Sequence, residues 1–362
     1  MTTMPSVPRG EPSTPDAAPP DPQKNELGST QAIAEASSDP PAPTEAGRRP
    51  LRSSKLPLSF KDRLIFRSML VLLHALSLLP DFILYPLGAA GGYLAYFFDR
   101  RHVQIGLKNL EIAFSDRSLD ERRRILRASY FNLGRSASEY IRLSGFFWRR
   151  LKRRVTYKGW NYILEARRTH QGRGVIVLTA HFGNFELLPA SHAIYGQQIG
   201  LVHHTQRFMA GDALMTWVRE RAGVEQIRKH SAARAVLRSL RDGDTVGIPF
   251  DQNAKRSEAI WVPFFGEPAA TIGGLARIAM IADAPVVPAF LVRQPGGRRH
   301  VIEISPAIEQ RRTGDREADI TENTARFVRA IEDIVRKYPE QFLWTHRRYR
   351  TRPRGMAPVY DS

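Results

Sequence analysis

The sequence predicts an α/β domain with a mostly parallel sheet flanked by helices, preceded by an N-terminal helical membrane anchor and a disordered tail. Three observations predict this. From Gly174 onward, short apolar β-branched runs alternate with longer stretches of helical spacing, the pattern of a largely parallel sheet with crossover helices. Between Ser68 and Phe98 lies an almost continuous apolar stretch. Before position 57 the chain is rich in proline and lacks aromatic residues.

These boundaries divide the chain into a tail over 1–56, an apolar anchor over 57–104, the α/β domain over 105–352 and a C-terminal tail over 353–362. The first 50 residues hold eleven prolines, and no aromatic residue precedes Phe60. Such a segment buries too little apolar area to offset the entropy of ordering it, so disorder is expected. The anchor stretch exceeds the ~20 apolar residues that cross a bilayer. Pro80, Asp81 and Pro86 interrupt it, which favours a bent hairpin embedded in one leaflet over a straight span; a core hairpin is the alternative. Its distance from Met1 argues against a cleavable signal peptide.

Residues 105 to about 170 read as helices, with Ser118–Ile141 at helical spacing. Within them, Phe146–Arg154 sets aromatic rings beside five cations, a composition that suits an anionic interface. Downstream, strands are expected at Val175–Ala180, Ile199–His203, Thr245–Phe250, Val286–Val292 and His300–Ile304. Helices are expected at Asp212–Arg221, Ser231–Asp242, Thr271–Ala282 and Ile320–Tyr338.

Composition narrows the chemistry. There is no cysteine, which excludes disulfides, thiolate nucleophiles and cysteine-held metal clusters. Residues 1–50 carry seven acidic and four basic residues, a balance of −3, so the remainder carries +21 of the net +18. That surplus suits a polyanionic partner such as an anionic membrane, a phosphorylated lipid or nucleic acid. No nucleic-acid-binding motif is present, and the apolar anchor argues for the lipid. Nucleophile-elbow, phosphate-loop and dinucleotide fingerprints are also absent. His203 and His204 are adjacent, so on a strand they face opposite ways and make no metal pair.

The segment Gly174-Val-Ile-Val-Leu-Thr-Ala-His-Phe-Gly-Asn-Phe-Glu186 carries the chemistry. A strand delivers His181, Gly183 and Asn184 break it, and Glu186 falls in the first turn of a following helix. This places Glu186 beside His181 as the partner of a general base; a buried histidine hydrogen-bonded at the end of a core strand is the alternative. With 10 histidines and 36 acidic residues in 362, about one such spacing arises by chance, so its weight comes from the strand–turn–helix setting. His181, His203 and Asp251 all fall at strand ends, where ligands gather in parallel sheets. A second segment, Gly247–Gln252 followed by Trp261–Ala279, ends a strand on Asp251 and Gln252. It then offers Thr271 as a helix N-cap and Gly273 and Gly274 as first-turn backbone donors for an anion; tight helix–sheet packing is the alternative.

Taken together, Asn109–Phe114, Gly134–Glu139, His181–Glu186, Phe250–Asn253, Val262–Gly266 with Ala270–Gly274, and Pro339–Tyr349 resemble the late (secondary) acyltransferases of lipid A biosynthesis, within the broader glycerolipid acyltransferase superfamily. The resemblance covers about residues 60–352 in order. It implies that 105–352 is an acyltransferase domain acting at the cytoplasmic face of the inner membrane. It implies a fatty acyl chain passing from an acyl carrier protein thioester to a hydroxyl of a phosphorylated lipid A precursor, with no metal, redox cofactor or acyl-enzyme. By the same resemblance His181 is the base and Glu186 its partner, and Asp251 with one of Arg219 or Arg221 completes the polar site. Gln252, Thr271 and Gly273 join the substrate-binding set. Basic clusters at Arg149–Arg154 and His346–Arg354 are expected on substrate phosphates. The chain departs from the family where a Tyr-Arg-Pro run is common and Val202–Arg207 stands instead. Other acceptor lipids, or a non-catalytic basic lipid-binding protein, are the competing readings.

Overall fold

The computed structural model describes residues 58–146, 148–228 and 232–360; the expected tail over 1–56 lies outside them. The chain opens with four helices: α1 (Phe60–Ser77), α2 (Asp81–Phe98), α3 (Arg100–Ala113) and α4 (Leu119–Ser144). Ser59 caps α1 by accepting from the Asp62 N–H. Ser118 and Glu121 form a reciprocal capping box on α4, which satisfies two donors the first turn leaves open. A short 3-10 turn over Trp148–Arg154 leads into β1 (Val155–Lys158) and α5 (Trp160–Thr169). Residues 105–170 are therefore not wholly helical.

Then follow β2 (Val175–Thr179), α6 (Leu187–Ile194), β3 (Ile199–His203), α7 (Met209–Arg221), β4 (Val224–Arg228), α8 (Ala232–Arg241) and β5 (Thr245–Pro249). A two-stranded antiparallel hairpin, β6 (Ala259–Phe264) and β7 (Glu267–Ile272), precedes α9 (Gly274–Ala282). The chain closes with β8 (Val286–Arg293), β9 (His300–Ile304) and α10 (Arg316–Lys337). The seven main strands run in the order β1-β9-β8-β2-β5-β3-β4. All pairings are parallel except β8 with β9. β2 is buried along its whole length, as a strand covered on both faces must be.

Each face of the sheet carries a core. One gathers Ile176, Leu178, Val246 and Val292 with Val236 and Leu240 of α8 and Phe327 of α10. The other gathers Val177, Leu201, Val287 and Leu291 with Ile163 of α5, Leu188 of α6 and Val218 of α7. The segment beyond 352 folds back onto the domain. The Tyr360 hydroxyl donates to Asn109 Oδ1 at 2.6 Å and accepts from the Tyr349 N–H at 3.1 Å.

The apolar stretch breaks at Leu78–Pro80 into two 18-residue helices. Among the described residues no helix is long and apolar enough to cross a membrane. α2 lies tightly on α4: a Cβ at Gly92 would meet the Tyr130 carbonyl oxygen at 2.2 Å, and one at Gly134 the Gly88 carbonyl oxygen at 2.1 Å. Arg142 ties the break down, donating to the Ser77 and Leu79 carbonyls and pairing with Asp81 at 2.7 Å. The outer sides remain apolar and exposed, with Val71 at 70%, Phe82 at 70% and Phe98 at 82%.

Candidate active site

His181 and Asp251 leave the carboxyl ends of β2 and β5, which are neighbours in the sheet. Phe250 N–H donates to the Thr179 carbonyl at 2.9 Å, which extends the pairing to the edge of the cleft. The turn at 181–183 is held from the other side by the C-terminal segment. Gly183 N–H donates to Gln341 O at 2.8 Å, and Leu343 N–H to His181 O at 3.0 Å. Gly183 has φ +57°, and a Cβ there would meet the Leu291 carbonyl oxygen at 1.9 Å, so only glycine fits.

The carboxylate on His181 is Asp251 rather than Glu186. Nδ1 of His181 lies 2.9 Å from Asp251 Oδ1, and Nε2 lies 3.2 Å from the Gln252 amide nitrogen. The tautomer that satisfies both contacts donates Nδ1–H to Asp251 and accepts from Gln252 at Nε2. Burial pulls the imidazole pKa down. The Asp251 charge, its hydrogen bond and the Glu186 charge outweigh that pull, leaving it above its ordinary value. Asp251 is buried, which raises its pKa, but the His181 charge and hydrogen bond bring it below the usual carboxylate range. The Phe185 ring stands edge-on to the imidazole, centroids 4.8 Å apart.

Glu186 makes a different pair. It holds the N-cap position of α6 without a side-chain cap bond and accepts from Arg219 twice, Nη2 to Oε1 at 2.5 Å and Nε to Oε2 at 2.9 Å. The turn that leads from Asn184 into α6 directs the Glu186 side chain toward α7 instead of back onto His181. Between Arg219 and Arg221, two positions apart on α7, only Arg219 is buried and lines the cleft. Arg221 points away, reaching Gly145 O at 3.4 Å and lying over the Trp217 ring.

Two other expected site residues serve packing. Thr271 is the penultimate residue of β7, and Gly273 takes the N-cap of α9. The buried Thr271 hydroxyl accepts from Arg348 Nη2 at 2.5 Å. A Cβ at Gly273 would meet Ile260 Cδ1 at 2.2 Å, so this glycine permits close helix–hairpin contact. The His346–Arg354 cluster is likewise inward-facing in part. Arg348 donates to Ala270 O at 2.8 Å, Arg352 pairs with Glu267, and His346 Nε2 accepts from Asn253 N–H at 3.0 Å. Burial pushes the His346 pKa down to about 4, consistent with a neutral acceptor. In the other basic cluster, Arg154 binds Asp81 and Tyr85 and so fastens the 3-10 turn to α2.

A buried network behind the turn has no counterpart in the local sequence pattern. Glu139 of α4 accepts from Arg293 through both oxygens at 2.6 and 2.9 Å, from His300 at 2.8 Å, and from Asn184 Nδ2 at 2.8 Å. Asn184 Oδ1 in turn accepts from Leu187 N–H at 3.1 Å. Despite its burial, Glu139 has its pKa lowered to about 2 by His300 and Arg293. Glu139 closes the Gly134–Glu139 run that shares in the family resemblance, but nothing in that run marks it as the partner of Asn184, Arg293 and His300.

His181, Glu186, Arg219 and Gln252 open onto one cavity of about 600 Å³. Its walls are mostly apolar, including Leu188 and Met215 of the helices and Val177, Leu201 and Ile248 of the sheet. Fold and cleft define an α/β protein that presents a histidine–carboxylate pair to a cavity suited to a fatty chain. The chain belongs to the bacterial lipid A biosynthesis acyltransferase family, whose model matches residues 58–351, and it is an acyltransferase. It is 28% identical over 291 residues to the lipid A biosynthesis lauroyltransferase of Escherichia coli K12, covering 78% of this chain and 90% of that one. To the palmitoleoyltransferase of the same organism it is 29% identical over 293 residues, with the same coverage. To the myristoyltransferase it is 26% identical over 280 residues, covering 77% and 84%.

Proposed function

We propose that the protein transfers a fatty acyl chain from an acyl carrier protein thioester to a hydroxyl of a phosphorylated lipid A precursor, with His181 as general base. The observation that carries the reading is the His181–Asp251 pair at the mouth of an apolar cavity. Nε2 of His181 takes the proton as the acceptor oxygen attacks the thioester carbonyl, displacing the Gln252 amide from that nitrogen. Asp251 keeps Nδ1 protonated and stabilises the imidazolium as it forms. The tetrahedral intermediate then expels the carrier thiolate by C–S cleavage, and the imidazolium returns the proton to sulfur. A base so placed contributes about 10²–10⁴-fold. Glu186 and Arg219 fix the far wall, and the Glu186 charge adds to the basicity of His181.

The same reading places the protein on the cytoplasmic face of the inner membrane, in contact with membrane lipids. Support comes from the large apolar side chains exposed along α1 and α2, among them Val71, Phe82 and Phe98, since clustered exposed apolar residues mark interaction surfaces. The test uses purified protein, defined acyl carrier thioesters and a phosphorylated lipid A precursor, with product mass recorded. One acyl chain added to the precursor is expected; a product confined to added glycerophospholipid contradicts the acceptor assignment.

A further inference from the structure

The cavity at His181 occupies both faces of the sheet. Leu201 and Val202 are neighbours on β3, and Gly247 and Ile248 are neighbours on β5; all four line the cavity. Successive strand residues point to opposite faces, so the cavity has one limb on each side. β3 and β5 pair only from Ile199 with Thr245 to Leu201 with Gly247, whereas β2 and β5 stay paired as far as Thr179 with Pro249. β3 therefore parts from β5 at its carboxyl end. The limbs join there, at the end of the sheet where His181 and Gln252 stand.

The two limbs differ in closure. One runs across the sheet beneath α5 and α6. Thr179 of β2, Ala289 of β8 and Ile302 and Ile304 of β9 form its floor, and Ile163 and Leu188 cover it. Ala289 pairs with Ile304, and it follows Pro288, the partner of Leu178, so it lies next to Thr179. All of these side chains are buried. At the far end stand Tyr157 of β1 and His192 of α6, also buried, with the Tyr157 hydroxyl 3.2 Å from His192 Nδ1. Burial and the Arg167 charge keep that imidazole neutral, its pKa pushed down to about 3. The apolar lining stops at this polar pair, and a chain reaching further would have to part a buried hydrogen bond. The other limb lies between the sheet and α8 and α9, on Val202, Ile248, Val236 and Ile278, with Ile272 of β7. There Ile248, Ile272 and Ile278 are half-buried and Ala233 is exposed, so this limb is open to the surface.

The two substrates differ in the same respect. The acyl chain of a thioester ends in a free methyl, and its reacting carbonyl must sit at His181, so it fits a limb that starts at the base and ends blind. A chain of the acceptor lipid belongs to a molecule whose polar body stays outside, so it needs a limb open to the surface. We propose that the closed limb holds the donor's acyl chain and measures its length, with Ala289 and Ile302 as specificity-determining residues, and that the open limb holds a chain of the acceptor lipid. The proposal rests on the acyltransferase reading above and adds which apolar surface takes which chain. β1 lies three strands from β2, about 14 Å at the usual strand spacing. An extended chain advances about 1.2 Å per bond, so the closed limb suits a saturated donor chain of about twelve carbons.

The test follows transfer by product mass with carrier-linked saturated chains of increasing length, for the full-length protein and the variants Ala289→Leu, Ile302→Ala and Ala233→Phe. Binding of the corresponding free fatty acids is read by calorimetry. The wild type should prefer chains of about twelve carbons. Ala289→Leu fills the closed limb and should shorten the preferred chain by about two carbons or more, each methylene that no longer fits costing about tenfold in kcat/KM. Ile302→Ala should lengthen it, an opposite sign that loss of folding does not produce. Ala233→Phe should raise the KM of the lipid acceptor and keep the preferred donor length. A length preference unmoved by both Ala289→Leu and Ile302→Ala overturns the proposal. So does a raised acceptor KM in Ala289→Leu with the donor profile kept, which would put the lipid in the closed limb. A wild type that transfers nothing, yet binds fatty acids with a length preference that Ala289→Leu shortens, would overturn the acyltransfer reading and leave the closed limb as an acyl site.

Discussion

At the scale of single residues, each buried cation of the cleft has its own carboxylate. His181 and Asp251 are 70 positions apart and meet only because β2 and β5 are neighbours; Glu186 lies five positions away and pairs with Arg219. Spacing along the chain pointed to the nearer acid, since it carries no information about strand order. That Asp251 ends a strand was legible, and so was its place in a common cleft. Asp251→Asn should lower kcat/KM by about 10²–10⁴-fold and move the acid limb of the pH profile down. The limb of the wild type should lie above the ordinary imidazole value of about 6.5, because Asp251 and Glu186 raise the His181 pKa. A limb at the same pH in both proteins would break the link between Asp251 and the base. The sign for stability follows too. The imidazolium's contribution is present below the ordinary value and fades as pH climbs through the raised one.

The Glu186–Arg219 pair has a separate expectation. Both side chains are nearly buried, so Glu186→Ala strands the guanidinium and should cost about 3–5 kcal/mol in denaturant unfolding. Glu186→Leu with Arg219→Met should recover much of that stability. If the single change costs nothing, the guanidinium has another partner and the wall is built differently.

At the scale of elements, the five strands read from the sequence are all present. All five lie between the two edges of the sheet, where apolar residues are required on both faces. The strands that escaped notice, β1 and β4, are the two edges of the sheet. Their sequences Val-Thr-Tyr-Lys and Val-Glu-Gln-Ile-Arg carry the polar residues that edges tolerate. The β6–β7 hairpin was hidden by Pro263 and Pro268, which mimic a loop yet are acceptable in a two-stranded ribbon, where each strand has an unpaired edge. The α2–α4 contact makes a sharp prediction at this scale. Gly92→Val places a branched side chain where Cβ alone meets a backbone oxygen at 2.2 Å. Overpacking of this kind costs at least ~1–3 kcal/mol, read as a lowered Tm; an unchanged Tm would mean the helices are not so closely packed.

At the scale of the whole molecule, the helical hairpin and the cleft are joined by α4, which packs against α2 and also supplies Glu139 to the network behind Asn184. The proposed surface binding is thereby joined, through α4, to the turn that carries His181. Replacing Phe82 and Leu87, both exposed on α2, by aspartate should release the protein from anionic vesicles. High salt alone should not, since buried apolar area is insensitive to screening. Release by salt and retention by the double aspartate variant would make the attachment electrostatic.

The central claim is that His181 draws the proton from the acceptor hydroxyl. Its most direct test is single-turnover transfer by His181→Ala, with donor and lipid A precursor both saturating and the fold checked by an unchanged thermal melt. Transfer should slow by about 10²–10⁴-fold with both substrates still bound. Transfer at the wild-type rate by a folded variant would contradict it.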